Sequence, residues 1–431
     1  MTRPPGNSRA VKVYRVGGAV RDELLGRRVV DRDWVVVGAT PEMLVASGYK
    51  PVGRDFPVFL HPETGEEYAL ARTERKHGRG YRGFEFFVSP DVTLEEDLAR
   101  RDLTINAMAR DEQGTLIDPF RGEADLRAGV LRHVSPAFVE DPLRVLRVAR
   151  FAARFGFAVA PETGALMREL AASGELALLA PERVWQEIAR GLMEPHPARM
   201  LDVLRACGAL AQLLPEVDAL FGVPDPHSRR PGAGIGAQVG CALDFAAARE
   251  HPLPVRYSLL ALHVGAAALP RTARATARGA AAHAVQLADR MSARLRVPVD
   301  CRDAARLAAR RHRVVERAAE LPPAKLLDLL NAADALRRPE RLDALLEACA
   351  CDALCRPDAA GEYAPARIVR AALAVLEGVD AGAIARGVVG KFEGKRDAGG
   401  DAVAVAVRAA RLGALRAWRR GDAARAAGQI R

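Results

Sequence analysis

The stretch that most constrains this chain is Val13-Tyr14-Arg15-Val16-Gly17-Gly18-Ala19-Val20-Arg21-Asp22, followed by Val29-Val30-Asp31-Arg32-Asp33-Trp34-Val35-Val36-Val37. The β-branched run from Val11 to Val16 predicts a strand. Gly17-Gly18 lets the backbone turn and offers N–H groups to a phosphate at the start of a helix that ends at Gly26. A second strand then carries two acids. Side chains alternate along a strand, so Asp31 and Asp33 are expected on one face, roughly 6.5 Å apart at the backbone. Arg32 and Trp34 then face the other way. Two carboxylates on one face repel unless a cation lies between them. A pair of divalent ions about 3.5–4 Å apart could bridge them, hold a triphosphate and stabilise both oxygens of an in-line displacement. A phosphate cradle facing a metal site is the expectation.

At 431 residues the chain exceeds one ordinary core, and with 49% apolar residues it can bury several. A net charge of +10 favours a polyanionic partner such as nucleic acid. Residues 1–10 lack the apolar core of a secretory signal, and no apolar run is long enough to span a bilayer. Six cysteines in a chain this long do not suggest a disulfide framework. Cys349, Cys351 and Cys355 do not have zinc-site spacing, so free thiols in a reducing cytoplasm are expected.

Thr40-Pro41 opens a helix. A hairpin follows from Phe56 to His61, through Pro62-Glu63-Thr64-Gly65, into Glu66 to Arg72. Glu66 and Glu67 point to opposite faces, so one of them could add a third carboxylate to the metal site. Arg72 to Gly83 is basic, Gly-rich and aperiodic, which predicts a mobile loop. Thr93-Leu94-Glu95-Glu96 is a capping box whose helix runs to Arg100-Arg101, and Asp102 is expected to cap a second helix holding Asn106 and Met108.

Glu140-Asp141-Pro142-Leu143-Arg144 opens a helix, with Asp141 as N-cap and Pro142 in the first position. Arg144, Arg147, Arg150 and Arg154 share one side of it, while Leu143, Leu146, Phe151 and Phe155 supply apolar surface. Such a stripe is either a solvent face or a binding edge. A carboxylate only accepts hydrogen bonds and a guanidinium only donates them. Cytosine and adenine both present an amino donor beside a ring-nitrogen acceptor, so one Asp–Arg pair can read either. Uracil and guanine place a carbonyl there and are rejected.

These segments together resemble the tRNA nucleotidyltransferase and bacterial poly(A) polymerase family. Gly17-Gly18-Ala19-Val20-Arg21-Asp22 and Asp31-Arg32-Asp33 match its first motif, and Arg101-Asp102-Leu103-Thr104-Ile105-Asn106-Ala107 its second. Glu140-Asp141-Pro142-Leu143-Arg144 resembles its base-reading motif, and Pro181-Glu182-Arg183-Val184-Trp185-Gln186-Glu187 its neck motif. The resemblance implies an α+β fold. A polymerase-β-like mixed sheet with helices forms the head (1–139), followed by an all-α neck (140–220), body (221–352) and tail (353–431). It implies CCA addition to the 3′ end of tRNA from CTP and ATP, by a monomer, with Mg2+ held by Asp31 and Asp33. Glu67 is favoured over Glu66 as the possible third carboxylate. Gly18, Arg21 and Arg101 are implied to hold the triphosphate and sugar. Asp141 and Arg144 are implied to select the base, with Arg147 and Arg150 as candidate nucleotide contacts. Trp185 is expected in the core.

Phe221 to about Gly240 is rich in Gly and Pro and reads as a linker. Beyond it the spacing is helical. In many members of the family this region resembles a His-Asp metal phosphohydrolase. Here His263 is followed by Val264 where a liganding aspartate is expected, and His251, His283 and His312 are isolated in the sequence. Phosphohydrolase activity is therefore expected to be absent. The Arg- and Ala-rich tail, ending in Trp418-Arg419-Arg420, could clamp the elbow of a folded RNA by shape. Two alternatives remain open: a poly(A) polymerase, which shares head and neck motifs, and a non-catalytic RNA-binding scaffold, against which the paired aspartates argue.

Overall fold

The computed structural model describes residues 10–29, 31–52, 58–76, 84–225, 234–267, 277–356, 359, 361–389 and 399–428. They form two compact units, Met1–Pro215 and Glu216–Arg431.

The first unit is built on a mixed sheet. Strand β1 (Lys12–Val16) leads through Gly17 into helix α1 (Gly18–Leu24), and β2 (Asp33–Val37) returns antiparallel to β1. Helix α2 (Pro41–Ala46) starts at Thr40, whose hydroxyl accepts the Met43 N–H. Strands β3 (Lys50–Val52), β4 (Val58–Leu60) and β5 (Glu67–Leu70) follow, then β6 (Arg72–Lys76), β7 (Phe84–Val88), α3 (Leu94–Ala99), β8 (Ala109–Arg110) and β9 (Leu116–Ile117). The seven-stranded sheet has the order β3-β4-β5-β2-β1-β8-β9, with β2 and β5 parallel. Its central strand β2 is buried on both faces, which is why Val35-Val36-Val37 reads as a continuous apolar run rather than an alternation. Val35 packs with Val16, Leu98 and Ala109, and Val36 with Leu44, Phe59 and Leu70.

Three expectations need correction here. The second strand begins at Asp33, because its last partner on β1 is Val16. Asp31 precedes the strand and does not share its pleat. Arg72 to Lys76 is not a loop but a strand paired antiparallel with Phe84 to Val88. The remainder of that segment, 77–83, lies outside the described residues, as do Phe56 of the expected hairpin and 226–233 of the expected linker. Asp102 caps no α-helix. The segment after it is a single 3-10 turn, Thr104–Asn106, and the Asp102 carboxylate instead accepts the Leu103 N–H at 2.9 Å and the Asn106 amide at 3.0 Å. The Thr93–Glu96 capping box of α3 forms as expected, with the helix ending at Ala99.

Helix α4 (Gly122–Ala128) completes the sheet region, and α5 (Leu143–Phe155), α6 (Pro161–Ala172) and α7 (Pro181–Met193) pack beyond it. The start of α5 lies one residue later than expected, yet Asp141 Oδ1 still accepts the Leu143 N–H at 3.0 Å. Trp185 on α7 is buried. The second unit is helical among the described residues, apart from an isolated bridge between Pro224 and Gly234. Among those residues no helix is long and apolar enough to cross a membrane.

Candidate active site

Strands β1, β2 and β5 of the sheet and helix α5 line a cleft of about 510 Å³, a volume suited to one small ligand. Its floor is laid by the β1–α1 turn. Gly17 adopts φ 68°, a left-handed conformation that suits glycine, and a Cβ there would lie 2.6 Å from Arg101 Nη1. Gly18 begins α1, which presents Arg21 to the cleft.

The acids come next. Parallel pairing of β2 with β5 sets Asp33 directly in register with Glu67, and both line the cleft. Glu66 points the other way and accepts the Trp34 indole N–H at 2.9 Å, so the neighbouring glutamates divide as alternation requires. Burial pushes the Asp33 carboxyl above its ordinary range; Arg101 opposes this and the charge of Asp31 adds to it. Asp31 is the one predicted site residue off the cleft lining, because the chain enters the sheet only after it. Gly18, Arg21, Asp33, Glu67, Arg101, Asp141, Arg144, Arg147 and Arg150 all lie on that lining.

The arginines are held in place. Asp97 on α3 is fully buried and pairs with Arg100 at 2.8 Å and Arg101 at 3.2 Å. Arg21 is buried between Asp22, at 2.8 Å, and the Asn106 side-chain oxygen, and burial lowers its pKa against the pull of Asp22. Arg144 donates to the Ala137 carbonyl at 2.7 Å and the Arg100 carbonyl at 2.6 Å. Arg147 donates through Nε to Asp102 at 2.7 Å, and this carboxylate raises the pKa of the guanidinium. Arg150 pairs with Glu187 of α7 at 2.6 Å, and Arg154 with Asp22 at 2.9 Å. Asp141 Oδ2 lies 3.6 Å from Arg183.

The sequence reading did not assign site roles to Arg72, Asn106 or Phe151, which also line the cleft. Asn106 falls within the second motif, Arg72 opens the basic stretch expected as a loop, and Phe151 is expected only as apolar surface. In the second unit, His312 is not isolated in space. Its ring meets that of His263 edge-on with centroids 5.3 Å apart, and His263 Nε2 lies 3.0 Å from Asp352 Oδ1. The His312 ring is buried, which, with His263 beside it, drives its pKa down to about 3.

Two family models match the chain: "Poly A polymerase head domain" over residues 13–132, and "Probable RNA and SrmB-binding site of polymerase A" over 156–221. A Multifunctional CCA protein of Azoarcus sp. strain BH72 is 56% identical over 411 residues, 95% of this chain and 98% of the relative. One from Nitrosomonas europaea is 57% identical over 90% of this chain and 94% of its own length. The crystal structure of the Bacillus stearothermophilus CCA-adding enzyme in complex with CTP superposes with a TM-score of 0.60, at 25% identity, over 94% of this chain and 89% of that one. With its glycine turn, register-matched acids and arginine-lined helix, and with likeness along nearly its whole length, the chain belongs to the bacterial class II CCA-adding enzyme and poly(A) polymerase family.

Proposed function

We propose that this chain adds C, C and A to the 3′ end of tRNA from CTP and ATP by metal-dependent nucleotidyl transfer. The observation that carries this reading is the register of Asp33 with Glu67 on one side of the cleft, opposite the arginines of α5. The primer 3′ oxygen attacks the α-phosphorus, a new oxygen–phosphorus bond forms, and the bond to the β-phosphate oxygen breaks to release pyrophosphate. Asp31 and Asp33, with Glu67 as a possible third carboxylate, would hold Mg2+. Among the described residues no three His, Cys, Asp or Glu side chains are grouped to hold an ion unaided. Mg2+ is ordinarily held by one or two carboxylates together with substrate phosphates. When bound, the metal supplies activation of the hydroxyl and neutralisation of phosphate charge.

Gly18, Arg21 and Arg101 hold the triphosphate and sugar, and Arg147 and Arg150 add nucleotide contacts. Asp141 and Arg144 read the base edge. Arg144 spends donors on two backbone carbonyls and keeps the rest of its five N–H groups for a base. We assign 1–139 as head, 140–220 as neck, 221–352 as body and 353–431 as an RNA-binding tail, in a monomer acting in the cytoplasm. We also infer that phosphohydrolase activity is absent. What supports this is Val264, fully buried, which offers no ligand at the position after His263; the relatives' name, Multifunctional CCA protein, speaks against it. Robust phosphodiesterase turnover with Ni2+ or Mg2+ would overturn that inference.

The experiment offers a tRNA lacking its last three nucleotides, with Mg2+ and each labelled triphosphate in turn. Incorporation of label from CTP separates CCA addition from poly(A) synthesis. Replacement of both Asp31 and Asp33 by Ala should abolish it in a folded protein; retained incorporation would refute the mechanism.

A further inference from the structure

The arginines that α5 turns toward the cleft are anchored from behind. We propose that Glu187, on α7 and outside the cleft lining, is a positioning residue that fixes Arg147 and Arg150 for nucleotide binding; this rests on the nucleotidyl transfer proposed above. Glu187 is 4% exposed. Its Oε2 accepts the Arg150 Nε–H at 2.6 Å, and its Oε1 lies 4.0 Å from Arg147 Nη1. Each arginine has a second carboxylate: Asp102 at 2.7 Å for Arg147, and Glu194, the C-cap of α7 itself, at 3.8 Å for Arg150. From Asp102 the polar contacts continue through Asn106 and Arg21 to Asp22, then return to α5 at Arg154. Glu187 ties this network to α7.

An arginine side chain has several rotatable bonds, and ordering one at the moment of binding carries an entropic cost. Anchoring through Nε removes much of that cost in advance. It also leaves the terminal N–H groups oriented by the protein rather than by the ligand, which is how pre-organisation favours binding. Glu187 shares α7 with buried Val184 and Ile188, among which an apolar side chain would pack without a desolvation penalty. The paired cleft arginines are what call for a carboxylate at this position.

The test compares the full-length protein with Glu187→Gln and Glu187→Ala, measuring kcat and KM for CTP and ATP on the truncated tRNA, CTP binding by calorimetry without tRNA, and thermal unfolding. Gln keeps an oxygen for the Arg150 Nε–H, so this variant should fold like the parent. Its KM for both triphosphates should rise about threefold, with kcat within twofold. In Glu187→Ala the KM should rise about tenfold, the size of losing one charge-assisted contact, and CTP binding should weaken in parallel. If Glu187→Ala does not fold, the Gln variant decides alone. Unchanged KM with a lowered unfolding temperature makes Glu187 merely structural and overturns the proposal. A fall in kcat at constant KM overturns it as well. Failure of the parent protein to extend the tRNA would instead sink the proposed activity.

Discussion

Asp102→Asn tests the electrostatics of the site and the stability of the first unit with one atom. The Asp102 carboxylate is 7% exposed and accepts from Leu103 N, Asn106 Nδ2 and Arg147 Nε. Burial by itself would raise its pKa, but Arg147, Asn106 and Arg144 outweigh burial and hold it at about 2, against an ordinary 3.8. That difference is worth about 2 kcal/mol at neutral pH. Removing one partner of a buried ion pair costs about 3–5 kcal/mol, but the Arg147 side chain is 35% exposed and water can partly replace its partner. We therefore expect Asp102→Asn to lower stability by about 2–3 kcal/mol. The amide oxygen can still serve Leu103 and Asn106, while an N–H₂ group now faces the Arg147 donor.

The sign of the pH dependence follows. The folded value lies below the unfolded one, so the contribution is complete well above pH 4 and drains away as pH falls toward 2. Urea unfolding can be followed by tryptophan fluorescence, since Trp34 and Trp185 both lie in the first unit. Parent and variant should differ by the full amount at pH 7 and by clearly less at pH 3. Equal stabilities at pH 7, or a gap as wide at pH 3 as at pH 7, would refute the reasoning.

Gly17→Ala forces a side chain into φ 68°, ψ −127°, and puts its Cβ against the flexible end of Arg101; it should raise the KM for both triphosphates severalfold and cost about 2–3 kcal/mol in stability, measured by primer extension and thermal unfolding. Gly122→Ala meets backbone instead, with Cβ only 2.2 Å from the Thr104 oxygen; it should cost about 1–3 kcal/mol, and an unchanged unfolding temperature would contradict this. Asp141→Ala removes the acceptor proposed to read the amino group of C and A; discrimination of CTP against UTP should drop at least about tenfold, read from competing labelled triphosphates.

What could be seen in the sequence was local. The glycine turn, the capping box at Thr93 and the arginine stripe of α5 are each carried by residues within a few positions, and each took its expected place, whereas of the acid pair only Asp33 did. What was missed depends on partners far along the chain. No alternation rule reveals that β1 ends opposite Asp33 and leaves Asp31 unpaired. The charged Arg72 to Lys76 segment looks like loop until Phe84 to Val88 lies beside it. Asp102 resembles a helix cap because its true partner, Arg147, is 45 residues away. His312 seems solitary until a helix pairing brings it to His263. Alternation did sort Glu66 from Glu67, but only the β2–β5 register gives that choice a consequence, by setting Glu67 beside Asp33.

Eight arginines and four carboxylates line the cleft. The acids do not cancel the arginines so much as arrange them: Asp102 lies within the lining, while Asp97, Asp22 and Glu187 hold other arginines from outside it. A cleft built this way keeps an excess of positive charge while the guanidiniums of Arg21, Arg100, Arg101, Arg147, Arg150 and Arg154 are paired with carboxylates, so less reorganisation is left when a triphosphate enters. Asp33 and Glu67 stand apart, as acids in register without a partner of that kind among these pairs. Lysines could have supplied the same net charge. They could not have offered one edge to a carboxylate and another to a base or phosphate, because an ammonium is a single point and a guanidinium is a planar fork. The functional demand on this cleft is thus for arginine specifically, and substituting lysine at Arg147 or Arg150 would keep the charge while losing the second edge.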